Sequence, residues 1–272
     1  MTTATQPASA DLRPWTSSIT DVAGTNVEVV TGGSGSPLVI LPDELGHPGW
    51  LRYHQALAQN HTLHIPFLPG VGGSDVLDWS MSIHDLAIWY LGALDKLGLE
   101  GADLMGFSLG GWIAAELATM CPQQFGHLIL VGAGGIRPPG GEIYDIFEVT
   151  PPMYIRDSLA DPDGTPEYRT VCPAEPEEDI LERWELGMEA TCRVAWRPYM
   201  HDPGLVNQIY RLERLPTLLI WGAQDNIVPV AAGEEYHRRI PNSRLEVIEN
   251  CGHHPELEAT DQFVGLVENF LS

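Results

Sequence analysis

The sequence predicts an α/β fold, a mostly parallel central sheet with helices on both faces and a helical segment inserted after the sixth strand. Three observations carry this. Short β-type runs alternate with helical stretches over most of the chain, the pattern that builds parallel sheets through crossover connections. Pro37–Leu41 (PLVIL) is a continuous apolar run, as a strand covered on both faces requires. Between about Ala133 and Leu212 the alternation stops, proline-rich turns and helical pieces take over, and it then resumes.

Residues 1–14, rich in Thr, Ala and Ser, read as a loose tail. Ser18–Val22 and Asn26–Thr31 form a plausible hairpin, and the glycine-rich turn Gly32–Ser36 leads into the Pro37–Leu41 strand. A helical stretch near Trp50–Gln59 precedes a strand at Thr62–Pro66. Ser82–Leu97 is helical, with Ser82 and Asp85 at capping-box spacing and Gly98 where a helix stops. Ala102–Gly106 is a strand, Trp112–Met120 a helix ended by Pro122, and His127–Val131 another strand. Within the break, Glu177–Ala195 is the clearest helix, with Ile180, Trp184, Met188, Thr191 and Ala195 on one face. Strands at Thr217–Trp221 and Arg244–Ile248 and helices at Ala232–Arg239 and Asp261–Leu271 complete the chain. The expected division is a core of 15–132 and 213–272 with a helical unit at 133–212.

Composition narrows the function. A length of 272 residues with 44% hydrophobic residues suits one large domain carrying an insertion. A formal charge of -23 argues against nucleic acid and anionic membrane surfaces as partners, since both demand a basic footprint. The longest apolar run, Leu86–Leu94, is too short to span a bilayer, and Met1–Ser18 lacks the basic start and apolar stretch of a secretory signal. Cys121, Cys172, Cys192 and Cys251 lie far apart, without metal or disulfide spacing, and read as reduced thiols. The expectation is a cytoplasmic monomer or homodimer acting on a small molecule, with no metal and no cofactor.

Gly106-Phe107-Ser108-Leu109-Gly110 fits G-x-S-x-G directly after a strand and before a helix. That chemistry needs a serine on a tight, strained turn, small neighbours two positions away, and a helix N-terminus aimed at the reacting oxygen. Its partners are expected later, in the order acid then histidine. Asp225 follows the strand Thr217–Trp221, and His253 follows the strand Arg244–Ile248, so all three residues converge on one edge of the sheet. A carboxylate fixes the tautomer of an imidazole that accepts the serine proton. The segment Gly132–Gly135 offers no rival carboxylate after the sixth strand.

Together these motifs resemble the α/β-hydrolase superfamily, in particular its capped serine hydrolases. The resemblance runs from Trp15 onward. It rests on Gly106–Trp112, on Trp221-Gly222-x-x-Asp225 with Val228-Pro229, and on Gly252-His253 followed by Glu258. Leu68–Asp75 is likewise similar to the family's PGxGxS loop. The resemblance implies that 133–212 is a cap whose face supplies the pocket, with Asp43, Trp184, Met188, Trp196 and Met153 as candidate lining. It selects His253 as the base and leaves His254 at the rim.

One segment departs from the family. The usual His-Gly-x of the oxyanion loop is replaced by Pro42-Asp43-Glu44-Leu45-Gly46, so the backbone N–H groups expected at the hole are those of Leu109 and Glu44. Two carboxylates beside a developing oxyanion are unfavourable unless they point away or take protons. Either they turn outward toward the cap or solvent, or Asp43 or Glu44 binds a polar or cationic group or serves as an extra acid. The leading expectation is hydrolysis of a carboxylic ester or lactone through an acyl-enzyme. C–C bond hydrolysis of a dicarbonyl from ring degradation stands second, and a ligand receptor on the same scaffold third.

Overall fold

A computed structural model describes residues 15–272 of the chain; the tail expected over 1–14 lies outside the described residues. In chain order the first elements are strands β1 (Trp15–Val22), β2 (Thr25–Gly33) and β3 (Ser36–Leu41), helix α1 (Arg52–Leu57) and β4 (His61–Pro66). Next come α2 (Ile83–Lys96), β5 (Asp103–Phe107), α3 (Ser108–Met120) and β6 (Leu128–Val131). The insertion carries α4 (Pro151–Asp157), α5 (Tyr168–Val171), α6 (Glu178–Ala195) and α7 (Pro203–Gln208). Then follow β7 (Thr217–Gly222), α8 (Val230–Arg239), β8 (Ser243–Ile248), α9 (Pro255–Glu258) and α10 (Thr260–Leu271).

The eight strands form one sheet in the order β1-β2-β4-β3-β5-β6-β7-β8. β1 and β2 form the expected hairpin, closed by Ala23 and Gly24 at positive φ (53° and 86°), the backbone that matches strand twist. β2 pairs antiparallel with β4, and from β4 to β8 every pairing is parallel. From β3 the chain goes first to β4 on one side and then to β5 on the other. Such a switch point opens a crevice at the C-terminal ends of the strands. The Pro42–Gly46 loop leaves β3 there, and Ser108 leaves β5 beside it.

The core lies where the strands are most apolar. Leu38, Leu104, Met105, Leu128, Ile129, Leu130 and Leu218 are all fully buried. α3 is buried from Ser108 to Thr119, packed on β5 and β6. It starts at Ser108, four residues before the helical pattern becomes readable. Its first turn contains two glycines, poor helix formers, and tertiary packing overrides their propensity. α2 is capped as expected, Ser82 Oγ accepting the Asp85 N–H at 3.1 Å, with Gly98 at φ 69° closing the far end. α6 buries Trp184, Gly187, Thr191, Val194 and Ala195, whereas Ile180 and Met188 are only partly covered. The buried stripe is turned because the helix backbone comes down at Gly187 onto Glu44 O, which a Cβ there would meet at 2.5 Å. Among the described residues no helix is long and apolar enough to cross a membrane.

Candidate active site

The turn from β5 into α3 is made by close backbone approach. Ser108 has φ 47°, a left-handed conformation that costs a non-glycine residue about 1–3 kcal/mol and is held here by its surroundings. Gly110 is what allows it. A Cβ there would lie 2.3 Å from both Leu41 O and Pro42 O, so no larger residue lets α3 pack against the end of β3. Ser108 is 1% exposed, and its Oγ has no hydrogen-bond partner among the described residues.

Two further loops reach the same edge of the sheet. After β7, Asp225 Oδ1 accepts the N–H groups of Ile227 and Val228, both at 2.9 Å. Trp221 Nε1 donates to Val228 O at 2.9 Å and tightens that turn. After β8, His253 Nδ1 lies 2.8 Å from Asp225 Oδ2. The two loops touch backbone to backbone. Gln224 N–H donates to Cys251 O at 2.8 Å, and a Cβ on Gly222 would fall 1.9 Å from Gly252 O. His253 N–H donates to Ser158 O in the insertion at 2.7 Å. Glu258 accepts Gly252 N–H at 2.7 Å and Ala160 N–H at 2.8 Å, binding the histidine loop to the same segment. With Nδ1 engaged by the carboxylate, His253 Nε2 is left buried and unpartnered among the described residues, as is Ser108 Oγ. The 132–134 segment lies against both residues. Gly134 N–H donates to Ser108 O at 3.1 Å, and a Cβ on Gly132 would lie 2.9 Å from the His253 ring.

The Pro42–Gly46 loop behaves unexpectedly. Glu44 turns toward the insertion and away from solvent, and is completely buried. Its Oε2 receives the Leu109 N–H at 3.4 Å, and its Oε1 accepts a hydrogen bond from Tyr154 OH on α4. A carboxyl therefore sits against the backbone donor that follows Ser108. Asp43 Oδ1 accepts the Leu45 N–H at 2.9 Å. Burial, and then the Glu44 charge, push the Asp43 carboxyl up to about 6.

Two cavities flank the elbow. One, partly open to solvent, is apolar (Leu68, Leu77, Leu86, Leu186, Val194) and reaches Leu109. The other reaches Phe107 and His254 and is lined by Asp43, His47, His54, Arg183, Trp184 and Glu256. Burial, reinforced by Arg183, pushes His47 down to about 3. Burial also lowers His54, whose Nδ1 accepts the Leu51 N–H and whose Nε2 therefore carries the proton. At His254 burial works against the charge, but Glu256 at 2.9 Å, with Asp43 and Glu44, raises it to about 9.

The sequence matches the profile of the Alpha/beta hydrolase family over residues 32–266. The chain belongs to the alpha/beta hydrolase family. Relatives include an uncharacterized protein of Mycobacterium tuberculosis, 29% identical, with 96% of this chain and 82% of the relative aligned. A 2-hydroxymuconate semialdehyde hydrolase of Pseudomonas sp. (strain CF600) is 26% identical, with 92% of each chain aligned. Among solved structures, a 2-hydroxy-6-oxo-6-phenylhexa-2,4-dienoate hydrolase from Rhodococcus has the same fold. Its TM-score is 0.74 at 21% identity, covering 95% of this chain and 99% of that one. A thermophilic esterase superposes equally well, with a TM-score of 0.73 at 24% identity, covering 95% and 98%.

The structure pairs Asp225 with His253 and Leu109 with Glu44, sets Ser108 and His253 against the same 132–134 segment, and places Asp43 and Trp184 on the wall of the polar cavity. The other lining candidates do not gather there. Trp196 caps the C-terminus of α6, is 52% exposed and packs on Phe147; Met153 is 52% exposed; Met188 is half-buried away from both cavity walls. His254, expected at the rim, is buried and ion-paired. Its partner was visible two residues on, in His254-Pro255-Glu256. Tyr154 and Arg183, which reach Glu44 and the polar cavity from the insertion, carry no motif by which the sequence could have singled them out.

Proposed function

We propose that this chain is a serine hydrolase that cleaves a carboxylic ester or lactone of a small to medium molecule through an acyl-enzyme. The observation that carries the reading is Asp225 Oδ2 at 2.8 Å from His253 Nδ1, with the His253 ring and a serine held at φ 47° packed against the same 132–134 segment. On this reading Ser108 Oγ attacks the carbonyl carbon while His253 Nε2 takes its proton. The carbonyl electron pair moves to oxygen, beside the Leu109 N–H. Collapse re-forms the carbonyl and breaks the bond to the leaving alcohol, which takes the proton back from His253. His253 then deprotonates water for the second half-reaction. Asp225 holds the imidazole in the tautomer that exposes the Nε2 lone pair. No metal or organic cofactor enters any of these steps.

The two cavities support a substrate with two unlike arms, an apolar one toward Leu186 and Val194 and a hydrogen-bonding one toward His54 and Arg183. The insertion covers both and so acts as the cap. The free state of all four cysteines supports the reducing, cytoplasmic setting in which we place the enzyme.

A second reading, C–C bond hydrolysis of a dicarbonyl from ring cleavage, is favoured by the relatives. The aligned Pseudomonas enzyme is a 2-hydroxymuconate semialdehyde hydrolase. One experiment separates the readings: fluorophosphonate labelling with Ser108→Ala as control, followed by turnover of nitrophenyl esters, lactones and ring-cleavage dicarbonyls. The ester reading expects Ser108-dependent labelling and ester or lactone turnover exceeding dicarbonyl turnover. The reverse ranking favours C–C hydrolysis. Neither labelling nor turnover would leave a ligand receptor on a hydrolase scaffold.

A further inference from the structure

The polar cavity beside the elbow is walled by buried polar atoms that the protein itself does not use. His54 on α1 is fully buried, and its Nδ1 accepts the Leu51 N–H at 3.0 Å. A ring nitrogen that accepts a hydrogen bond cannot carry the proton, so Nε2 carries it and is a fixed donor. That N–H is buried without a partner among the described residues. On α9, Glu256 Oε1 lies 2.9 Å from His254 Nδ1, while Oε2 is buried and likewise unpartnered. His47 Nε2 is a third such atom, on a neutral ring set edge-on to His54 with centroids 5.0 Å apart. His47, His54 and Glu256 are 7%, 0% and 5% exposed, and all three line the same cavity.

Buried polar atoms left unmet by the protein are rare, and each is costly. Here a donor and an acceptor of this kind share one wall with Leu45, Leu51, Trp184 and Leu257. Apolar walls with a few convergent polar groups are what orient a small ligand. The charges on the wall are already matched. Arg183 donates to His47 O at 2.7 Å and feels the Asp43 charge, and His254 pairs with Glu256. An anionic group entering the cavity would meet Asp43 and Glu256, and a cationic one would meet Arg183 and His254. An uncharged group that accepts from His54 and donates to Glu256 meets neither penalty. Phe107 and His254, on the cavity wall, precede Ser108 and follow His253 in the chain, so this space begins one residue from the expected nucleophile and base.

Resting on the serine-hydrolase reading, we propose that the polar cavity is a specificity subsite for an uncharged substrate group that carries both an acceptor and a donor, a carboxamide or a hydroxyl, selected by His54 Nε2–H and Glu256 Oε2. His47, being neutral, can serve the same group as donor or acceptor. An alkyl arm in this cavity leaves the donor and the acceptor unmet. A carboxylate arm satisfies His54 but sets like charge against Glu256. The selection is therefore against both, and the apolar cavity is left for the other arm of the substrate.

The test compares kcat/KM across esters that differ only at the end of one arm, on the acyl side in one series and on the alcohol side in another. The arm ends in a carboxamide or a hydroxyl, in isopropyl or methyl as their apolar counterparts, or in a carboxylate. In one series wild type should favour the carboxamide or the hydroxyl over its apolar counterpart and over the carboxylate by about 10-fold to 100-fold. His54→Asn keeps an acceptor for the Leu51 N–H but has no Nε2–H, and should cut that preference about tenfold. Glu256→Gln turns a donor into the cavity where wild type has an acceptor, and should shift the ranking toward the carboxylate by about tenfold. Each readout is a ratio within one protein, so a general loss of activity cancels, and thermal unfolding identifies a variant that does not fold. Wild type that prefers neither polar ending in either series, or that prefers the carboxylate, overturns the proposal without any variant. So does a ranking unchanged in either folded variant; if neither folds, the wild-type ranking decides. Failure of the parent reading looks different: no fluorophosphonate labelling and no Ser108-dependent turnover in wild type, which removes both.

Discussion

Replacing Asp225 by asparagine tests the triad through its hydrogen bonds. Both carboxylate oxygens are committed, Oδ1 to the N–H groups of Ile227 and Val228 and Oδ2 to His253 Nδ1. Asparagine has one carbonyl oxygen and one amide nitrogen to place in those positions. With the nitrogen toward Ile227 and Val228, two buried donors would face a third, at a cost of about 1–3 kcal/mol for each group left unmet. With the nitrogen toward His253, only one contact is in question. The imidazole can restore it by moving its proton from Nδ1 to Nε2. The second arrangement wins, and it leaves Nε2 as a donor that cannot accept the Ser108 proton. A wrong tautomer of this kind is expected to lower kcat by about 10⁴, or about 5.5 kcal/mol of barrier. Because all three hydrogen bonds survive, the unfolding midpoint should move by no more than about 4 °C. Steady-state hydrolysis of the best ester, beside thermal denaturation of the same preparation, decides the matter. A variant that keeps more than about a tenth of wild-type kcat would refute the assignment of Asp225, and a loss tracking unfolding would refute the hydrogen-bond reasoning.

Other consequences can be checked independently. His47 titrates at about 3 when folded and near its ordinary value when unfolded, so its contribution to stability is present above about pH 6.5 and lost as pH falls toward 3. Urea unfolding at pH 7 and pH 5 should show a wild-type loss about 2 kcal/mol larger than that of His47→Leu; equal losses would count against a buried neutral imidazole. Gly222→Ala drives a methyl to 1.9 Å from Gly252 O, so denaturant titration should show about 3 kcal/mol or more of destabilisation, with loss of activity. Ala190→Phe narrows the apolar cavity and should cut kcat/KM for longer acyl esters by about fourfold for each methylene displaced, with short esters little affected. Uniform loss across chain lengths would mean that the acyl arm lies elsewhere.

Much of this site was legible because its constraints are local. Ser108 sits between glycines at a strand-to-helix junction, and Asp225 and His253 each follow a strand end, so a parallel sheet places all three at one edge. The oddity of Pro42–Gly46 was legible too, but the direction of Glu44 was not. It depends on Tyr154, which is 110 residues away in sequence, and on the backbone of α6 at Gly187. Trp196 failed for a related reason. It was expected at the pocket as part of the cap, but the helix ends at Ala195, so the indole lies beyond the buried helix face and packs on Phe147. His254 shows the opposite error. A histidine beside the base reads as a rim residue until a carboxylate within reach makes its burial affordable, and Glu256 is that carboxylate.

The insertion is hydrogen-bonded into the candidate site. One short helix, α4, reaches the chemistry from two points. Tyr154 in its middle holds the Glu44 carboxyl, and Ser158 at its C-cap accepts the His253 N–H at 2.7 Å. The segment just beyond donates to the histidine loop, through Ala160 N–H to Glu258. His253, the Pro42–Gly46 loop and the insertion therefore share hydrogen bonds, and moving the insertion changes the contacts of His253 and Glu44. Adaptation to a substrate must then come mainly from the side chains that line the two cavities, because movement of the insertion as a body would disturb the site it covers.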